Sequence, residues 1–432
     1  MDKDFFKKYK IVFYILLVIA VFSASYFIYS NTLEAPDNDI VDETDIDNGD
    51  ENGNRNGEAE SPDEEVIELP SSSEGLIVAV GDIMVHTPQL SQARDPATGG
   101  YDFAPSFEFI ADYLREGDIT VGNFESTFAG RDRGYDGYPL FNSPDELALN
   151  LKEAGFDILC TANNHSLDRG EQGLYRTLDI LEETGIPAFG TARSQEEGDA
   201  VLVQELNEDI NVAFLAYTDS TNGIPVPAGR DYMINYINLD RDPSLTEAES
   251  VFRRDIGRAR QAGADLVAVY MHWGYEYHFT PSRWQEELAL ILAKSGADII
   301  LGSHPHVIQP MDYITVEKEN GEEHSAFVIY SMGNFISNQH YIPGAIPTEE
   351  VKYGILVYIY VEKDLLSGET ELTDVKYMLT WVNRDWRHRI LPLYKVLENT
   401  PELYHIQQHK YNRLQPVRET IGERLSGFQP VY

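Results

Sequence analysis

Cysteine is nearly absent from this 432-residue chain. The single thiol, Cys160, excludes a disulfide bridge within the chain and also a cysteine-rich metal site. Any bound metal ion must therefore be held by oxygen and nitrogen ligands. Cys160 ends the apolar run 156–160, a context that predicts a small buried residue on a strand and not a catalytic thiol.

Basic residues are also scarce. The chain has 33 Lys and Arg against 72 Asp and Glu, for a formal charge of −39. Nucleic acids and anionic membrane surfaces are bound by clusters of Lys and Arg, so this balance argues against both. We therefore expect no nucleic-acid partner.

Long apolar runs are missing except at the N-terminus. Residues 11–30 are uncharged and mostly apolar, the roughly 20-residue length that crosses a hydrocarbon core as a helix. Residues 1–10 carry four lysines, which predicts a cytoplasmic N-terminus, a single-pass anchor in the cell membrane and an extracellular remainder. A cleaved signal peptide ending near Ser25 is the alternative. No cysteine follows that could carry a lipid anchor.

The segment 31–74 has very few large apolar residues. Its stretch from Glu34 to Glu74 contains 16 acids and only Arg55 as a base. Such a composition cannot bury enough apolar surface to offset the entropy of ordering. We predict a disordered acidic linker.

From residue 75 onward, short apolar runs alternate with amphipathic stretches, which is typical of an α/β fold. We predict one domain over 75–340, completed by C-terminal strands and a helical tail over 341–432. The expected strands are 76–80, 119–122, 158–161, 212–217, 266–271, 299–302 and 327–330, with an antiparallel pair at 354–361 and 371–381. The expected helices are 144–154, 173–184, 247–262 and 281–295.

Polar residues of metal-ligand type follow six of these strands. Because ligand sites in α/β sheets form at the carboxyl ends of strands, these residues are expected to converge in space. Each motif alone could be structural, but several buried imidazoles and carboxylates side by side are favourable only with a cation. The motifs are Gly81-Asp82-Ile83-Met84, Asn123-Phe124-Glu125, Asn163-Asn164-His165, His272-Trp273-Gly274, Gly302-Ser303-His304-Pro305-His306 and Gly333-Asn334-Phe335.

In order and chemistry, these motifs resemble those of the calcineurin-like metallophosphoesterases. They are still more similar to those of the CapA-type capsule-synthesis family of poly-gamma-glutamate proteins, over about residues 76–338. The resemblance implies a layered α/β/β/α sandwich, preceded here by the transmembrane helix and acidic linker. It also implies a divalent metal, either Mn, Fe or Zn.

The resemblance further implies roles for individual residues. Asp82 and His306 would hold a first ion, and Glu125 would bridge it to a second. The ligands of the second ion would be Asn164, His272 and His304.

Four further residues complete the expected site. His165 corresponds to the phosphoesterase histidine that protonates the leaving group or stabilises the attacked phosphate, and Asp168 in the same motif is grouped with it as catalytic. Asn123 and Asn334 are expected to orient ligands or to contact substrate.

One position departs from the phosphoesterase pattern. Met84 stands where that pattern has a histidine, and a thioether is a poor ligand for the hard or borderline ions of such sites. The first ion should therefore bind weakly or not at all. His86, two residues further on, is expected to be an exposed loop histidine.

Three functions fit the sequence. The first is a metal-dependent hydrolase acting outside the membrane on a phosphoester or polymer linkage during poly-gamma-glutamate synthesis or export, in contact with membrane synthase subunits. The second is a non-catalytic accessory or scaffold subunit of that synthase. A general cell-surface phosphatase is the third.

Overall fold

The computed structural model describes residues 71–317 and 321–431. The predicted transmembrane helix and nearly all of the predicted linker lie outside these residues. Within the described part of the chain, no helix is both long and apolar enough to cross a membrane.

Fifteen strands occur in the described residues, and they form two mixed sheets. In chain order they are β1 Ser72–Ile83, β2 Ile119–Phe124, β3 Ile158–Cys160, β4 Ala188–Phe189, β5 Leu202–Glu205, β6 Asn211–Thr218, β7 Leu266–His272, β8 Ile299–Ser303, β9 Met311–Glu317, β10 Glu323–Ile329, β11 Asn334–Ile336, β12 Tyr353–Asp364, β13 Thr370–Asn383, β14 Arg389–Pro392 and β15 Gln429–Pro430.

The first sheet has the order β14-β13-β12-β1-β2-β3-β4, with β11 pairing with β1 and β15 with β13. Strands β1 to β4 are parallel, whereas β12 to β14 are antiparallel. The second sheet has the order β5-β6-β7-β8-β10-β9, in which β6, β7, β8 and β10 are parallel. Antiparallel β5 and β9 form its edges.

Helices cover the outer faces of the two sheets. They are α1 Thr87–Ala93, α2 Ala104–Phe107, α3 Ala111–Leu114, α4 Glu146–Ala154, α5 Gly170–Thr184, α6 Gln195–Asp199, α7 Thr246–Gln261, α8 Arg283–Ser295, α9 Leu393–Glu398 and α10 Gln408–Arg424.

The two sheets pack face to face, and strand β1 illustrates the layering. Ile77 and Ala79 point into a core shared with the second sheet, whereas Val78 and Val80 pack beneath α1 to α5. A third core joins the outer face of the second sheet to α7 and α8. Strands covered on both faces have apolar residues at successive positions, as β1 does. The predicted α/β fold, with helices outside two sheets, is confirmed.

The largest difference from the sequence prediction lies at the start of β1. We placed Ser72 to Glu74 in the disordered linker, yet they form the first part of a 12-residue strand. Their backbones pair with β12, from Ser72 opposite Asp364 onward. Hydrogen bonding along a long neighbouring strand orders these residues although their side chains are polar, a contribution that composition does not reveal.

Close backbone approach at Gly81 sets the end of β1. A Cβ at this position would lie 1.8 Å from the carbonyl oxygen of Gly333, and the next amide, of Asp82, donates to that same oxygen at 3.0 Å. The parallel register of β1 with β2 also shifts between Val80 and Asp82. Gly81 therefore lets β11 approach β1 and aims Asp82 at the carboxyl edge of the sheet.

We predict that Gly81→Ala destabilises the protein by about 3 kcal/mol or more, because a methyl group there must displace a strand backbone. Gly257→Ala is the matched control. That glycine lies inside α7, and no neighbouring heavy atom comes within 4 Å of the added methyl position. The control should stabilise the protein by about 0.5 to 1 kcal/mol. Urea unfolding measures both, and similar midpoints for the two variants would contradict this account of β1.

Candidate metal centre

The predicted site residues converge where the carboxyl ends of parallel strands from both sheets meet. In the first sheet, Asp82 is in register with Asn123 on β2 and with Asn334 on β11. In the second, His272 at the end of β7 is in register with Ser303 at the end of β8. The loops after these strands add the remaining groups, so residues more than 200 positions apart in sequence become neighbours.

Glu125 lies at the centre of the cluster and is fully buried. Neither of its carboxylate oxygens has a hydrogen-bond partner among the described residues. Three imidazole nitrogens surround Oε1: Nε2 of His272 at 3.7 Å, Nε2 of His165 at 3.9 Å and Nε2 of His306 at 4.0 Å. Burial, together with the charges of Asp82 and Glu276, raises the pKa of Glu125 well above its ordinary value.

These separations discriminate between two kinds of contact. They are too long for hydrogen bonds. They lie below the roughly 4.2 Å that can separate two atoms bound to one ion at about 2.1 Å each. A buried carboxylate without a partner is costly, and a cation would relieve that cost. The residues present therefore fit a divalent metal ion.

Two overlapping groups of side chains could hold such an ion, with all ligand atoms of each group within 4.8 Å of one another. One consists of Asp82, Glu125 and His272, and the other of Glu125, His304 and His306. Both contain Glu125, as expected for a bridging ligand. The predicted division placed His306 with Asp82 and His272 with His304, so in these groups the two histidines are exchanged.

Hydrogen bonds among the ligands are consistent with the predicted division as well. His306 Nδ1 lies 3.0 Å from Asp82 Oδ2, and His272 Nε2 lies 3.1 Å from Asn164 Oδ1. Asn123 connects the two halves, because its Nδ2 is 2.9 Å from Asp82 Oδ1 and 3.1 Å from His272 Nδ1. Asn123 thus contacts two candidate ligands, as a residue that orients ligands must.

The titration of these groups suits metal binding. Burial alone would raise the pKa of Asp82, but the hydrogen bond and charge of His306 outweigh it and hold that pKa below its usual range. Burial lowers the pKa of His272 well below its ordinary value, and that of His304 to about 3, with neighbouring histidines adding to the effect. Ionised carboxylates and neutral imidazoles are the forms that coordinate metals.

The loop after β8 holds its two histidines in a left-handed backbone. The φ angles are 96° at His304 and 59° at His306, values that non-glycine residues rarely adopt. Such conformations persist where surrounding contacts enforce them, and they cluster at functional sites. Asn334, the predicted orienting residue on β11, donates to the His306 carbonyl at 3.4 Å and to the Val351 carbonyl at 2.8 Å.

His165 lies at the rim of the cluster, beside Glu125. Its Nδ1 is 2.8 Å from Asp168 Oδ2, an oxygen that also accepts the Phe141 amide at 2.7 Å. The ring of Phe141 packs edge-on against the imidazole, with the ring centroids 4.7 Å apart. These contacts fix the ring so that Nε2 faces Glu125, which is the orientation a proton donor at this site requires.

The structure corrects one expectation, because His86 is not an exposed loop residue. It is half-buried before α1, and its ring packs edge-on against Phe141 with the centroids 5.1 Å apart. Burial and the neighbouring His306 lower its pKa to about 3. Met84 is also buried, at the predicted position beside Asp82.

Sequence reasoning missed three polar residues beside the cluster. Asn163 donates to Asn123 Oδ1 at 3.2 Å, and Asn222 lies 3.4 Å from both His165 Nε2 and Asn164 Nδ2. Asp219 follows β6 and accepts the Gly274 amide at 3.0 Å, while burial raises its pKa to about 7. The end of β6 was the available signal, because we predicted that strand but did not examine the polar residues following it.

Fold and site together define a two-sheet α/β protein with a carboxylate–imidazole centre suited to a divalent ion. Residues 76–339 match the family described as Bacterial capsule synthesis protein PGA_cap. The chain belongs to this family, as its motifs predicted.

Relatives of known name point the same way. The chain is 32% identical over 270 residues to Capsule biosynthesis protein CapA of Bacillus anthracis, covering 60% of this chain and 59% of that protein. It is 28% identical over 288 residues to PGA biosynthesis protein CapA of Bacillus subtilis, covering 66% and 68% respectively. It is 23% identical over 197 residues to the Probable polyglutamine synthesis accessory protein Rv0574c of Mycobacterium tuberculosis, covering 45% and 51%.

A solved structure described as a novel phosphatase from Mycoplasma pneumoniae shares 13% identity with a TM-score of 0.38, covering 71% of this chain and 94% of that one. A likeness at this level carries no functional argument.

We predict that Glu125→Gln stabilises the metal-free protein increasingly as pH rises. Below the ordinary pKa of 4.5, both folded and unfolded states are protonated and Glu125 costs nothing. Above it, the unfolded state ionises first, so the wild type loses about 1.4 kcal/mol per pH unit relative to the variant until the raised folded pKa is reached. Thermal unfolding in EDTA between pH 4.5 and 8 measures this.

The exposed Glu196→Gln serves as the control and should track the wild type. Added Mn²⁺ should raise the midpoint of the wild type but not that of Glu125→Gln, because binding to the folded state alone stabilises it. Parallel pH curves for wild type and Glu125→Gln would show that Glu125 is not an isolated buried carboxyl group.

Proposed function

We propose that this protein is a metal-dependent hydrolase that acts in the synthesis or export of poly-gamma-glutamate or another anionic surface polymer. Its partners would be that polymer and the membrane-bound polymer synthase. The N-terminal segment would hold the catalytic domain at the outer face of the cell membrane. Support for the capsule role comes from the family and from the names of the Bacillus relatives.

The observation that carries the hydrolase proposal is Glu125, a buried carboxylate with no hydrogen-bond partner among the described residues and with three imidazoles within 4.0 Å. The ligands would be Asp82, Glu125, Asn164, His272, His304 and His306. Manganese, iron and zinc all accept this mixture of oxygen and imidazole ligands. A bound ion would polarise the scissile phosphoester or amide and lower the pKa of an attacking water molecule.

The protein's own residues supply the remaining chemistry. His165 is positioned by Asp168 and would give a proton to the leaving group through Nε2, which faces the centre. Asn123 and Asn334 would keep the ligands in place through their contacts with Asp82, His272 and the His306 backbone. A cation is also the simplest way for a chain of net charge −39 to bind an anionic polymer.

A second candidate function is favoured by Met84. This buried thioether stands where the phosphoesterase pattern has a histidine, so a two-ion site lacks one ligand. The chain would then be a non-catalytic accessory subunit of the polymer synthase, with the centre kept for binding polymer carboxylates or for stability. The mycobacterial relative is named as an accessory protein, which fits this alternative.

We predict that the purified full-length chain, loaded with Mn²⁺, Zn²⁺ or Fe²⁺, hydrolyses poly-gamma-glutamate or one of a panel of phosphoesters. His165→Asn should lower kcat by about 100- to 10,000-fold, the usual contribution of a general acid, while the metal content stays unchanged. His409→Asn is the control, because that histidine is exposed on α10.

Two results would contradict the hydrolase. One is an absence of turnover with all three metals. The other is normal capsule production by cells carrying His304→Ala and His306→Ala together, when deletion of residues 1–30 abolishes it. That combination would support the accessory role.

A further inference from the structure

The turn between β13 and β14, residues Arg384 to His388, reaches the same edge of the sheet as the metal centre. Two of its side chains hydrogen-bond to one oxygen: Arg384 Nε donates to Asn338 Oδ1 at 2.9 Å, and His388 Nε2 lies 3.0 Å from it. On its other side, His388 Nδ1 is 2.7 Å from Gln92 Oε1. His388 is buried, and both it and Arg387 have left-handed backbones. The turn is therefore held in one conformation.

The guanidinium group of Arg384 is half-buried, yet it has no ion pair among the described residues. Its only hydrogen bond there uses Nε, which leaves both terminal nitrogens available. The neighbouring carboxylates, Asp385 and Glu349, each pair with a lysine instead, Lys410 and Lys352 respectively. Burial lowers the pKa of Arg384.

An unpaired arginine is unexpected here. The chain has 72 acidic residues and 33 basic ones, so most surface arginines can find a carboxylate. Arg193, for example, contacts Asp179, Glu182 and Glu197. Partial burial of a charged group without a counter-ion is unfavourable. The arrangement is explained if an anion from outside the chain completes it.

A short series of contacts connects Arg384 to the metal centre. The amide of Asn338 donates to His86 Nδ1 at 3.4 Å, so the proton of the neutral His86 ring lies on Nε2. The His86 ring packs on Phe141, which packs on His165. His86 and Asn338 follow neighbouring parallel strands, β1 and β11, whose ends are joined by a bond of 2.9 Å from the Met84 amide to the Ile336 carbonyl.

We propose that Arg384 and His86 form an oxyanion-binding subsite beside the metal centre. The two free terminal nitrogens of Arg384 form a planar fork that suits two oxygens of a carboxylate or phosphate group, and His86 Nε2 is a further donor nearby. The identification of this anion as a group of the substrate bound at Glu125 rests on the proposed function. Anion binding by the subsite itself does not.

Isothermal titration of the full-length chain in EDTA tests the subsite without any metal. The probes are a γ-linked glutamate pentamer and inorganic phosphate, which represent the two sources of the oxyanion. Arg384→Gln should weaken binding of at least one probe by about tenfold or more, the usual loss for a charge-assisted bidentate contact. The probe that is affected identifies the group.

Two further variants make the test specific. Arg413→Gln removes the same charge from an exposed position on α10 and should leave affinity unchanged. Arg384→Lys keeps the charge without the fork and should bind with intermediate affinity, which also guards against misfolding of the glutamine variant. Equal affinities for Arg384→Gln and Arg413→Gln, or no binding of either probe by the wild type, would overturn the proposal.

Kinetics separates this subsite from the hydrolase proposal. In the metal-loaded protein, Arg384→Gln should raise KM about tenfold at unchanged kcat, because the lost contact is present in the ground state and the transition state alike. Absence of turnover in every variant would contradict the hydrolase, while a difference in the EDTA titration would still support the subsite. An unchanged KM during active hydrolysis would contradict only the subsite.

Discussion

Burial of the Glu125 carboxylate is the constraint on which the rest of this centre depends. The side chain has no solvent exposure, and its oxygens lack hydrogen-bond partners among the described residues, so its ionised form needs a cation. The surrounding imidazoles cannot supply that charge, because burial lowers the pKa of His272 and His304 and keeps both neutral. An external metal ion satisfies the carboxylate and the imidazole nitrogens together.

The fold brings these groups together through the meeting of two sheets. β1 and β2 present Asp82 and Asn123 in register, and the segment just after β2 carries Glu125. β7 and the loop after β8 bring three histidines from the opposite sheet. Gly81 is needed for this arrangement, since a side chain there would separate β11 from β1 and move Asp82. The same edge also receives the β13–β14 turn, so the metal centre and the Arg384 subsite share one side of the molecule.

Much of this arrangement could be predicted from the sequence, for a physical reason. Parallel strands covered on both faces are short apolar runs, and the ligands lie directly after them, so motif and strand were visible together at Asp82, His272 and His304. The expected helices and central strands appear within a few residues of their predicted bounds. Two-residue β4 and the polar start of β1 were missed because backbone pairing with a neighbouring strand orders them.

The remaining site groups could not be predicted, because no local pattern marks them. Arg384 and His86 are 298 positions apart, and they meet only because β11 and β13 lie in the same sheet as β1. Asn222 is an exposed loop residue whose contact with His165 depends on the path of a long connection. His86 resembled a surface histidine until Phe141, from a different loop, was seen to cover it. Such contacts depend on tertiary structure alone.

The most direct test of the account is an anomalous difference map from crystals of the protein grown with Mn²⁺. We predict a peak about 2.0 to 2.3 Å from a carboxylate oxygen of Glu125, with imidazole nitrogens of His272 or His306 at a similar distance. Well-ordered crystals with no anomalous peak near Glu125, in which both carboxylate oxygens remain without a partner, would contradict it.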